Sequence, residues 1–114
     1  MKNSFIDNIA NAFELGADQD RADAMSAYMK NKFVFFGIPA PRRKEIVLNE
    51  IKNLKFKDSN ELHTLLLDLW DKPEREWHYT AMIVAERFKK LWNQESIVVF
   101  EQMLVNASWW DTVD

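Results

Sequence analysis

Turn-forming residues are scarce in this sequence: it holds two glycines and three prolines among 114 residues. Tight turns recruit glycine for positive φ and proline for a fixed φ, so a sandwich or barrel of many short strands carries more of both. Long uninterrupted segments must fill the chain instead. Their apolar residues recur at three- and four-residue steps, the period of a helix rather than a strand. The expected fold is all-α.

Six segments and the start of a seventh follow from caps and breaks. The first, about Ser4 to Leu15, carries Phe5, Ile9 and Phe13 on one stripe and stops at Gly16, read as the residue just past the helix end. A second, about Asp18 to Phe33, places Ala22, Met25, Met29 and Phe33 together, with acids at its start and Lys30 and Lys32 at its end to suit the helix dipole. Gly37, Pro39 and Pro41 force a break. Pro41 then begins the third segment, which runs to about Asn53 with Ile46, Val47 and Ile51 inward. Ser59 is the expected cap of the fourth, whose Leu62, Leu65, Leu66, Leu69 and Trp70 form a continuous apolar face. Pro73 separates it from a fifth, Glu74 to Trp92, striped by Trp77, Ala81, Val84, Phe88 and Trp92. The sixth, about Gln94 to Val105, offers Ile97, Val98, Phe100, Met103 and Leu104. Ser108 caps the seventh.

These breaks recur. Ala40 precedes one helix pair, Glu74 opens the next and Ser108 a third, each 34 residues after the last. A helix-turn-helix unit repeated at such a period is the pattern of an α-solenoid, here an irregular HEAT-like array. The sequence stops less than two turns into the seventh helix, and an open solenoid end exposes apolar surface unless it is capped. The expectation is that residues 1–114 are the N-terminal part of a single HEAT-like domain truncated at its C-terminus. Missing C-terminal repeats, or an oligomer contact, would cover that end.

Several function classes are excluded early. With no cysteine, disulfide frameworks, thiolate zinc sites and cysteine nucleophiles fall together. His63 and His78 stand apart from other ligand types, so neither a metal nor a cofactor is expected. Apolar runs such as Phe33–Phe36 and Ile97–Phe100 are short against the roughly 20 residues of a membrane span, and Met1–Asp7 is too polar for a signal peptide. A cytoplasmic protein is expected. A net charge of −3 argues mildly against nucleic acid as a partner unless the cations cluster.

The densest run of functional side-chain types is Ser108-Trp109-Trp110-Asp111-Thr112-Val113-Asp114. Asp111, three residues after Ser108, can complete a capping box. Trp109 and Val113 are four apart and read as an inward pair. Trp110 and Asp114, also four apart, share a neighbouring face. Alone, Trp110 reads as a core residue or interface anchor and Asp114 as a surface acid. Together they set an aromatic plane beside a carboxylate.

That run resembles the signature of the DNA alkylation repair glycosylases. Two further stretches fit the same family: Tyr28–Phe33 leading through Phe36-Gly37-Ile38 to Pro41-Arg42-Arg43, and Leu69–Glu76 followed by the helix with Tyr79, Ala81 and Lys89-Lys90. The resemblance covers nearly the whole chain. It implies a HEAT-like solenoid that removes cationic alkylated purines, such as 3-methyladenine and 7-methylguanine, from double-stranded DNA. Asp114 would be the catalytic carboxylate and Trp110 an aromatic contact to the lesion's deoxyribose. A second tryptophan and an arginine would complete the site beyond residue 114, so the fragment alone is expected to be inactive. No strong general acid and no base-flipping pocket are implied.

Among the remaining candidates, Arg42, Arg43 and Lys44 lie in the first turn of a helix. They read either as a solvated polar face or as DNA phosphate contacts. Tyr28 either lines the DNA-facing cleft or packs between helices. The competing function is a non-catalytic helical scaffold that binds DNA or protein through its concave face, because solenoids host many activities.

Overall fold

The computed structural model describes residues 2–107. They form six α-helices: α1 (Lys2–Gly16), α2 (Gln19–Tyr28), α3 (Ala40–Ile51), α4 (Ser59–Trp70), α5 (Arg75–Arg87) and α6 (Gln94–Ala107), with a 3₁₀ turn at Lys89–Leu91. No strand occurs among the described residues. α3 packs on α1 and on α5, while α4 packs on α5 and on α6. Odd-numbered helices thus stack in one layer and α4 with α6 in another, the arrangement of a HEAT-like array. The seventh segment lies outside the described residues.

The apolar stripes set this packing. Phe5, Ile9 and Phe13 on α1, Ile46, Val47 and Ile51 on α3, the five large apolar residues of α4, and Trp77, Ala81 and Val84 on α5 all enter one core. Phe13 sits edge-on to Trp77 with centroids 5.3 Å apart, so the first and fifth helices meet through aromatic rings.

Segment boundaries differ from expectation in four places, each for a local reason. Gly16 is the last residue of α1 rather than the residue past it. Its missing side chain makes room for Ile38, whose Cδ1 would lie 3.2 Å from a Cβ there. α2 ends at Tyr28, not Phe33, because Lys30 and Asn31 turn left-handed at φ 58° and 60°. Ser26 Oγ then donates to the Phe33 carbonyl at 2.8 Å and ties the returning chain to the helix it left. Lys30 and Lys32 consequently lie beyond the helix and do not complete its dipole. The cap of α4 is Asp58, whose carboxylate accepts the Glu61 N–H at 3.0 Å; the Ser59 hydroxyl instead donates to the Leu91 carbonyl.

The fourth difference concerns the end of α5. The helix stops at Arg87, and Trp92 folds back so that its indole N–H reaches the Ala85 carbonyl at 3.0 Å. In α6 the register is rotated from expectation: Val99 and Met103 are buried, whereas Ile97 and Val98 are exposed. Ile97 to Phe100 and Met103 to Val105 are unbroken apolar runs, so spacing alone selects no face. The selection comes from a polar contact, Ser96 Oγ to His63 Nε2 at 2.7 Å, buried between α4 and α6.

Candidate nucleic-acid interface

The surface of interest is built on α3 and α5, with the loop joining α2 to α3 laid across their N-terminal ends. That loop is fastened from α5. Glu76, buried at 1% exposure, accepts the backbone N–H groups of Phe36 and Gly37 at 3.0 Å each and of Ile38 at 3.2 Å. The Arg75 N–H donates to the Val34 carbonyl at 2.8 Å. A carboxylate that receives three main-chain donors is stable when buried because each donor is charge-assisted.

Arg75 is also fully buried. Its guanidinium lies 3.9 Å from the Phe33 ring centroid and bonds His78 Nδ1 at 2.9 Å. His78 Nε2 in turn reaches the carbonyls of Trp70 at 3.0 Å and Lys72 at 3.2 Å, so this imidazole is engaged at both nitrogens. From the other side Arg75 approaches the Tyr79 ring at 5.7 Å, and Arg43 covers that ring at 4.3 Å. Two cations near one ring hold Tyr79 in a fixed orientation.

Tyr79 stands at the junction of two concavities. One is a groove of about 530 Å³ between α3 and α5, where Arg43, Lys44 and Arg87 converge, with Glu86 at its edge. The other is an aromatic slot between α2 and α5 that Tyr28 flanks. Tyr28 is 71% exposed, which selects the surface reading over packing between helices. Arg43 and Lys44 share the groove. Arg42 does not: it pairs with Glu45 and lines a separate concavity with Ile46 and Asn49. Trp110 and Asp114 lie outside the described residues.

Nothing in the sequence pattern marks Tyr79 and Arg87 as contacts. They lie eight residues apart on α5, with Met82, Ile83 and Glu86 between them in the same groove. That stripe was legible as an i, i+3, i+4 pattern, but nothing in it distinguished a binding face from a solvated one.

The sequence pattern described as DNA alkylation repair enzyme matches residues 9–114. The chain belongs to that family. A predicted DNA alkylation repair enzyme from Enterococcus faecalis has a similar structure, with a TM-score of 0.76 and 34% sequence identity. The alignment covers 86% of this chain and 46% of that one, so this chain spans about half the length of that relative. No curated protein matches. Membership in the DNA alkylation repair enzyme family accords with the all-helical stack, and no helix of the described residues is long and apolar enough to cross a membrane.

Proposed function

We propose that this chain is part of a DNA glycosylase that hydrolyses the N-glycosidic bond of cationic alkylated purines in double-stranded DNA. The observation that carries the reading is the gathering of Arg43, Lys44 and Arg87 around Tyr79 in one groove, in a chain whose net charge is −3. Clustered cations beside an aromatic ring suit a sugar-phosphate backbone.

The chemistry assigned to Asp114 and Trp110 follows from the leaving group. Alkylation at N3 or N7 already places positive charge on the purine. When the bond from C1′ breaks, its electron pair moves to the base, which departs neutral, and positive charge develops on the sugar. The Asp114 carboxylate opposes that charge and orients the water that adds to C1′ with loss of a proton. The face of Trp110 adds cation–π attraction to the same centre. Arg43, Lys44 and Arg87 hold phosphates and leave the reacting bond alone.

The reading is tested with duplex DNA containing 7-methylguanine and a chain of the relative's full length, with free base measured by chromatography. Lesion-dependent release supports it. Duplex binding without release favours the scaffold. Residues 1–114 alone should release little base.

A further inference from the structure

An apolar groove of about 220 Å³ lies along α5 and α6, with Trp70, Met82, Ala85, Trp92, Phe100 and Met103 in its walls. Trp92 is fixed there by its indole bond to the Ala85 carbonyl and by the Phe100 ring, whose centroid is 5.0 Å away. Among the described residues, charge enters the lining only through Glu86, which pairs with Lys89 at 3.5 Å. Trp70 adds a polar requirement. Its side chain is buried, and its indole N–H has no hydrogen-bond partner among the described residues. Buried donors in folded proteins nearly always meet an acceptor, so this wall calls for one from outside those residues.

We propose that this groove seats the Ser108–Asp114 segment of the same chain, with the Trp109 ring filling it and an acceptor of that segment meeting the Trp70 N–H. Trp109 is then a positioning residue for Trp110 and Asp114. The seat rests on the groove, and only its consequence for excision rests on the function proposed above.

Three observations select this occupant. The first is reach. Leu104 and Met103 line the groove and α6 ends at Ala107, so the segment begins about one helical turn from the wall. The second is the repeat. Ala40, Glu74 and Ser108 are spaced by 34 residues and α5 packs on α3; a helix opened by Ser108 meets α5 by the same rule, where Met82 is exposed. The third is size. The volume lies below the roughly 300 Å³ at which small-ligand sites begin, and it suits one large side chain. Trp109 and Val113, four apart, bring an aromatic ring and a branched chain to one helical face, and Trp110 and Asp114 turn away from it. Met82 and Glu86 also line the basic groove, so a segment seated here borders that groove. A second copy of the chain would compete with a segment tethered at the mouth, whose effective concentration is far higher.

The chain has no cysteine, so a single introduced thiol reports the seat. Met82→Cys places it in the groove wall, and Val98→Cys places one on the exposed side of α6. In the 114-residue chain, maleimide labelling followed by mass should be roughly tenfold slower for the Met82→Cys thiol than for the Val98→Cys thiol. Adding Trp109→Ala should remove most of that protection and leave the Val98→Cys rate unchanged. Adding Trp70→Phe, which keeps an aromatic wall and loses the donor, should raise the Met82→Cys rate by a smaller factor. Helical circular dichroism reports folding of each variant.

A Met82→Cys rate that matches the Val98→Cys rate, or that ignores Trp109→Ala, would overturn the proposal. Protection that disappears on dilution would also overturn it, by assigning the groove to a second copy. A rate unmoved by Trp70→Phe would overturn the assigned hydrogen bond. Release of 7-methylguanine from duplex is measured separately, on a chain of the relative's full length with and without Trp109→Ala. The substitution should slow single-turnover release and leave duplex affinity level, and equal rates would overturn the positioning role. Protection without release retains the seat and removes the glycosylase; release without protection does the reverse.

Discussion

Gly37 donates its backbone N–H to Glu76 Oε2 at 3.0 Å, joining positions 39 residues apart in the sequence. The contact requires a glycine for two reasons. Its φ is +93°, and a Cβ at that position would lie 2.2 Å from the Asp18 carbonyl oxygen. The loop between α2 and α3 is thus pressed onto the start of α2 by close backbone approach and held from α5 by a carboxylate.

Gly37→Ala is expected to destabilise the protein by about 2–5 kcal/mol, through a strained φ and forced displacement of the Asp18 backbone. Urea unfolding followed by circular dichroism measures it. A midpoint within error of the unaltered protein would contradict the close approach.

Glu76→Ala removes the common acceptor of three N–H groups. Hydrogen bonds to charged groups contribute about 1.5–3 kcal/mol each and do not add fully, so a loss of about 3–5 kcal/mol is expected. Glu76→Gln keeps one acceptor oxygen and should cost less. The same unfolding measurement ranks the two variants; a Glu76→Gln cost equal to that of Glu76→Ala would contradict the expected ranking and assign the whole effect to the charge.

Much of the fold was legible because amphipathic stripes are local. The stripes of α1 and α4 are buried as their spacing indicated, and Pro41 lies in the first turn of α3. The end of α2 was not legible. Lys30 and Asn31 carry no turn signal comparable to glycine, and their left-handed conformation is imposed by contacts from Ser26 to Phe33. The Glu76 clamp was hidden for a related reason. An acid in the first turn of a helix reads as a dipole partner, and only the fold carries the loop across to it. Of the candidate contacts, Arg43 and Lys44 converge with Arg87, while Arg42 turns elsewhere. Consecutive helical residues point about 100° apart, which a list of basic residues does not register.

His63 and Ser96 join α4 to α6 through a buried bond of 2.7 Å. Ser96→Ala leaves that imidazole nitrogen without its hydroxyl partner, also removes the acceptor of the Asn93 N–H at 2.9 Å, and is expected to cost about 1–3 kcal/mol. Thermal unfolding of this variant beside Ser4→Ala, an exposed change on α1, separates the buried bond from a general effect of losing a hydroxyl.

The groove should be read out by salt. Arg87→Ala and Lys44→Ala are each expected to weaken duplex binding across all sequences and to reduce the salt slope by about one. Arg42→Ala should leave the slope unchanged, because its side chain is paired with Glu45 on a different concavity. Salt-titrated anisotropy on one duplex decides this, and a slope lowered equally by all three variants would contradict the division.

The most direct test of the glycosylase reading is single-turnover release of 7-methylguanine from duplex DNA by a chain of the relative's full length and its Asp114→Asn variant. Asparagine keeps the size of the side chain and one acceptor but loses the charge that opposes the oxocarbenium ion. Release is expected to slow by roughly 10²–10³-fold, while duplex affinity, carried by phosphate contacts, stays level or tightens slightly. Unchanged release by the Asp114→Asn protein would contradict the glycosylase reading.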